Sequence, residues 1–116
     1  MRVLLDENVP APLRPALGPH EVKTLQEQGW AGISNGELVR QAEGRFDVLV
    51  LADKNLRFQQ NLAGRNLALV ELPTNRWPLL QPLLPKIRQA VDRATPGTYT
   101  VLEFNEQSSA PSAPRT

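Results

Sequence analysis

The chain has 116 residues and a formal net charge of +1; that length fits one domain, large enough to bury a core without covalent staples. It contains no cysteine, which excludes disulfides and thiolate metal sites. No apolar run approaches the ~20 residues a membrane span needs, and Val3–Leu5 is too short for a signal-peptide core and runs straight into two acids, so a cytoplasmic, non-membrane protein is expected. The small net charge hides an asymmetry: residues 1–53 carry five basic and eight acidic side chains, whereas residues 54–93 carry seven basic and two acidic ones. An acid-lined site beside a basic rim would use such a division, although folding mixes sequence halves and an ordinary solvated surface gives it too.

Val3–Leu5 is a short continuous apolar run of the kind buried on both faces of a parallel sheet, and it stops at Asp6-Glu7-Asn8. Pro10 and Pro12 suit the first turn of a short helix, which Gly18 closes. His20 to Leu25 alternates polar and apolar residues, as a strand at or near an edge does, and Gly29 to Gly32 reads as a loop around Trp30. Ser34 and Glu37 form the S-x-x-E signature of a capping box. The helix they open carries Leu38, Val39 and Ala42 as its apolar stripe and ends at Gly44. Asp47 to Ala52 is the clearest strand, and it is followed by Asp53-Lys54-Asn55. Leu56 to Ala63 reads as a third helix, and Asn66 to Leu72 as another apolar strand.

From Trp77 to Ala94, apolar residues recur at spacings of three and four. Pro82 and Pro85 argue against one continuous helix and place the regular part from about Pro82, after an irregular turn. Thr98 to Phe104 alternates as a last edge strand. Residues 1–104 are therefore expected to form the domain, and 105–116, rich in Ser, Ala and Pro, a disordered tail.

Strands and helices alternating in this way predict an α/β fold: a mostly parallel central sheet, order about 2-1-3-4 plus a late edge strand, with helices on both faces. Ligands of such sheets bind beyond the carboxyl ends of the strands, where the strand order reverses. In this order that point lies between the first and third strands, which end in Asp6 and Asp53. Carboxylates gathered there repel one another unless one is protonated or a cation joins them. A hard divalent ion such as Mg²⁺ is the natural partner, and it supports phosphodiester hydrolysis without a histidine base. The lone His20 fits that chemistry and is itself expected to be structural. Asn8, Asn55 and Glu37 are further oxygen donors, while Glu7 points away from Asp6 if strand geometry persists. Each has a structural alternative. Asp6 with Asn8, and Asp53 with Asn55, could cap the helices that follow them, and Glu37 could be spent in its capping box. Trp30 and Trp77 are expected in the core.

Leu4-Leu5-Asp6-Glu7-Asn8-Val9-Pro10, His20-Glu21-Val22, the Ser34–Glu37 helix start and Val50-Leu51-Ala52-Asp53-Lys54-Asn55-Leu56, in that order, resemble the short stand-alone PIN-like domain proteins, trimmed relatives of the VapC-type toxins. The resemblance covers about residues 1–104. It implies a PIN-like fold, a Mg²⁺- or Mn²⁺-dependent endoribonuclease, and the toxin role in a toxin–antitoxin pair, with RNA as substrate, a small antitoxin protein as partner and a homodimer as a common assembly. The family's acids fall on Asp6, on or near Glu37, and on Asp53. Asp6, Glu37 and Asp53 would then be the catalytic acids and hold the metal, with Asn8 and Asn55 in support and Lys54, Arg57 and Arg76 on the RNA backbone. Two departures stand out: Asn55 occupies the fourth acidic position, and Asn35-Gly36 stand where relatives often carry the second acid. A binding module that has lost catalysis is therefore one alternative. A receiver-like signalling domain, phosphorylated on Asp53, is the other, although Thr98 to Phe104 lacks the lysine such domains place at the end of strand five.

Overall fold

The computed structural model describes residues 1–52 and 65–104, apart from the side chain of Asn35. The sheet is parallel throughout. Its strands are β1 (Arg2–Leu5), β2 (Glu21–Thr24), β3 (Val48–Leu51), β4 (Ala68–Glu71) and β5 (Tyr99–Val101), in the spatial order β2-β1-β3-β4-β5. β1 pairs with β2 from Arg2–Glu21 to Leu5–Thr24 and with β3 from Val3–Val48 to Leu5–Val50. The predicted order, the late edge strand and the position of β2 at the opposite edge are thus all present.

Buried side chains divide into two layers, one on each face of the sheet. Val3, Leu5, Val48, Val50 and Val70 pack with Leu13, Leu17, Leu80, Ile87 and Val91. Leu4, Leu49, Leu51 and Leu69 pack with Leu25, Leu38, Val39, Ala42 and Phe46. The first group of partners comes from α1 (Leu13–Ala16), α4 (Trp77–Leu80) and α5 (Leu84–Asp92), with the residues beside them; the second comes mainly from α2 (Leu25–Gln28) and α3 (Asn35–Ala42). Strands covered on both sides need apolar residues at successive positions. This is why β1, β3 and most of β4 read as continuous runs rather than as alternations.

Local chemistry sets the helix ends. Thr24 opens α2 with a complete capping box: its hydroxyl accepts from Glu27 N–H, and the Glu27 carboxylate accepts from Thr24 N–H. The strand expected to run through Leu25 therefore stops one residue earlier, and Leu25 begins a helix that the alternation did not announce. Ser34 caps α3 through Glu37 N–H at 3.2 Å, but the second half of the predicted box is replaced. The Glu37 carboxylate accepts instead from Arg40 and, at 2.7 Å, from Gln41 Nε2. Gly44 follows the end of α3 with φ of 90°, a conformation that favours glycine.

The expected irregular turn before Pro82 is more regular than predicted. It contains α4, then a 3-10 turn over Gln81–Leu83, then α5, with prolines confined to first turns, where no helical N–H is lost. The expected helix at Leu56–Ala63 and the expected tail lie outside the described residues. Among the described residues, no helix is long and apolar enough to cross a membrane.

Candidate functional site

The strand order reverses between β1 and β3, since the chain moves outward from β1 to β2 and then back across to β3. The carboxyl ends of these two strands are therefore the topological switch point. Asp6 stands there, directly after β1. Its N–H donates to the Val50 carbonyl at 2.9 Å, so the ladder continues one residue past the strand. Val3 and Leu5 face one core layer and Leu4 the other; strand alternation then turns the partly buried Asp6 side chain toward the face covered by α2 and α3.

Asp6 Oδ1 accepts from Glu7 N–H at 2.8 Å, and its carbonyl accepts from Val9 N–H at 3.1 Å in the turn that leaves the sheet. The capping alternative fails for this residue and for Asn8: α1 starts after Pro12 and has no side-chain cap. Asn8 is exposed within the same turn. Glu7 lies in the turn rather than in the strand, so the strand geometry that would point it away from Asp6 does not persist; its carboxylate accepts from Gly32 N–H at 3.2 Å, just ahead of α3.

That contact fixes the start of α3. Gly32 lies against the end of β1, and α3 begins three residues later. At the other end of the helix, Glu43 accepts from Asn66 N–H at 2.7 Å, just ahead of β4. Helix α3 thus runs from the carboxyl end of the sheet to its amino end, and Glu37 in its first turn lies at the same end as Asp6. Glu37 is partly exposed and its two oxygens are engaged by Arg40 and Gln41, which hold its carboxyl below the usual glutamate range, Arg40 contributing most.

Asp53, Lys54, Asn55 and Arg57 lie outside the described residues; Ala52, the residue before Asp53, packs against the first core layer. Arg76 is exposed at the N-terminus of α4, a few residues beyond the carboxyl end of β4, and its N–H donates to Thr74 Oγ1 at 3.2 Å. The structure therefore brings Asp6, Asn8, Glu37 and Arg76 to one end of the sheet. Among the described residues, no three His, Asp or Glu side chains are close enough to share an ion.

No protein-family model, curated protein or solved structure matches this chain.

His20 is structural, as expected. It lies at the amino end of the sheet, where Nε2 donates to Asp92 Oδ1 at 2.5 Å and ties the start of β2 to the last turn of α5. Trp30 and Trp77 are partly buried, each packed against a core layer. The Trp30 ring stands edge-on to Phe46 with centroids 6.1 Å apart, and the Arg45 guanidinium lies 5.7 Å from the Trp30 centroid.

One acid was not singled out in the sequence. Glu71 closes β4 and is buried, with Tyr99 Oη donating to its Oε1 at 2.9 Å. Unlike Asp6, which follows its strand, Glu71 is the last strand residue itself.

Proposed function

We propose that the chain is a PIN-like, Mg²⁺- or Mn²⁺-dependent endoribonuclease whose site lies at the carboxyl ends of β1 and β3. The observation that carries this reading is the partly buried Asp6 at the switch point, with the first turn of α3 and Glu37 brought to the same end. The donor set fits a hard divalent cation, since Asp6, Glu37 and Asp53, with Asn8 and Asn55, offer only oxygen. A cation held by them supplies charge to a phosphoryl oxygen and eases ionisation of the attacking water. Asp6 is positioned for this by the ladder bond to Val50 and by the Glu7 N–H at its Oδ1. Glu37 takes part by exchanging its Arg40 partner, which is exposed and bound through a solvent-screened pair. Arg76, with Lys54 and Arg57, holds the RNA backbone, which sets affinity rather than sequence preference. The sequence resemblance further supports a toxin role with a small antitoxin as partner and a homodimer as the assembly; the short apolar runs of the sequence support a cytoplasmic location.

Two observations favour other readings. The engagement of Glu37 by Arg40 and Gln41, together with Asn55, suits a binding module without catalysis. The β2-β1-β3-β4-β5 order is that of flavodoxin-like sheets, including receiver domains, but β5 and the residues around it carry no lysine.

The deciding experiment incubates a mixed-structure RNA with the protein in Mn²⁺ and in chelator, beside Asp6→Asn and Asp53→Asn prepared identically. Cleavage that needs metal and is lost in both variants is expected. RNA binding without cleavage selects the binding module, and acquisition of phosphate from a small phosphodonor selects the receiver reading.

A further inference from the structure

Among the described residues, β2 stands at one edge of the sheet and pairs with β1 alone. An open edge offers its backbone groups to another strand, and natural edges are usually kept short or charged to prevent that. β2 is both: four residues, Glu21-Val22-Lys23-Thr24, with opposite charges two positions apart. The backbone N–H of Glu21 donates to the Met1 carbonyl at 3.1 Å. Glu21 and Lys23 therefore turn their backbone groups toward β1, and alternation turns those of His20, Val22 and Thr24 outward. The backbone N–H of His20 is spent on the Leu17 carbonyl at 3.1 Å, and that of Thr24 on the Glu27 carboxylate at 2.9 Å. Among the described residues, this leaves Val22 as the residue of the edge able both to give and to accept a backbone bond. Side chains alternate as well: Val22 lies on the α1 face, and Glu21 and Lys23 lie on the α2–α3 face. Neither Glu21 nor Lys23 forms a salt bridge within its own chain among the described residues.

We propose that this edge is the contact surface for a second copy of the chain, the two β2 strands pairing antiparallel about a two-fold axis at Val22. Val22 and the partner's Val22 exchange both of their N–H···O bonds. Glu21 then stands directly opposite the partner's Lys23, and Lys23 opposite the partner's Glu21. One surface is thus complementary to itself, as an isologous interface requires. Opposite charges at facing positions favour pairing and like charges oppose it. Centring the axis on Glu21 or on Lys23 sets like charges face to face, and parallel pairing in register does so at both positions, so the pattern selects one arrangement. On the α1 face, an open recess of about 360 Å³ lined by Arg14, Pro15, Gly18, His20 and Val22 leaves room beside the strand for the partner's Val22. The contact is small, which makes the dimer weak and sensitive to salt. The proposal gives the homodimer of the preceding subsection its surface and uses no residue of the cation site, so either can fail without the other. The alternative is that Glu21 and Lys23 only keep the edge from pairing.

Charge reversal separates the two. Sedimentation of the full chain over a concentration series gives the dimer dissociation constant for the parent, Glu21→Lys, Lys23→Glu and the double variant, with melting of dilute protein to check each fold. Symmetry repeats every substitution, so a single reversal sets like charges at both facing pairs, and the dissociation constant should rise on the order of tenfold or more. The double variant restores opposite charges at both pairs and should return to within about threefold of the parent. An equimolar mixture of the two single variants is complementary in the same way and should form a heterodimer. In the isotopically labelled parent, the Val22 amide should exchange with solvent more slowly as concentration rises, while the Val101 amide at the opposite edge should not. A parent that stays monomeric up to its solubility limit overturns the proposal. So does a dimer that both reversals leave unchanged, or one that the double variant does not restore. If a reversed chain fails to fold, the Val22 amide of the parent decides: exchange independent of concentration overturns the proposal, and slower exchange supports it.

Discussion

Glu27, Glu37, Glu43 and Asp47 all titrate below their ordinary ranges, and for each the cause is a donor aimed at the carboxylate. Thr24 N–H is the leading cause for Glu27, the Arg40 side chain for Glu37, Asn66 N–H for Glu43 and Arg2 N–H for Asp47. These donors prefer the ionised form. An acid whose folded value is depressed binds fewer protons when folded than when unfolded, so stability rises with pH through that range. The contribution is complete above the ordinary carboxylate values of 4.5 for the glutamates and 3.8 for Asp47. It is lost as pH falls below them. Urea midpoints measured from pH 7 to pH 3 should stay high down to about 5 and then fall; a midpoint that is flat or rises toward pH 3 would contradict these assignments.

At the scale of the element, Thr24 carries more than an edge-strand residue normally does. It ends β2 and, through two reciprocal bonds with Glu27, starts α2. Thr24→Ala should cost about 1 kcal/mol in the urea midpoint at pH 7, and an unchanged midpoint would mean that the cap is not limiting. The same comparison explains what was legible in the sequence. Ser34 and Thr24 open identical S/T-x-x-E patterns, but the second lay inside an alternating run that satisfied a strand reading completely. The capping box at Thr24 ends the strand, and Leu25, 2% exposed, then packs into the α2–α3 layer from the first turn of the helix. Ser34 was correctly read as a cap, whereas Arg40 and Gln41, three and four positions beyond Glu37 on the same helix face, out-compete the Ser34 N–H for its carboxylate. Asp6 was legible because an acid ends an apolar run. Glu71 was not, because it sits on the last strand residue itself, with Leu72 and Pro73 after it, and so looked like part of the strand. Its burial goes with its pairing to Leu51 across β3 and β4, a long-range property that no local pattern encodes.

At the scale of the whole molecule, the two ends of the sheet are built differently. At the amino end, charged groups are used to join elements: Asp47 accepts from Arg2 N–H at 2.8 Å, Glu43 accepts from Asn66 N–H and from Arg65 Nη1 at 2.9 Å, and His20 pairs with Asp92. At the carboxyl end, Asp6 and Glu71 sit in one row on one face, and the exposed Arg76 lies beyond β4. Parallel order made this division predictable, because every strand ends on the same side. The central claim, a divalent-cation site at that end, is tested most directly by titrating Mn²⁺ into the isotopically labelled protein and following paramagnetic broadening of backbone amide signals. The account predicts that signals from Asp6, Glu7, Ala52 and the first turn of α3 broaden first, while those of His20, Glu43, Asp47 and Asp92 persist. Broadening that begins at the amino end, or that is uniform over the chain, would contradict it.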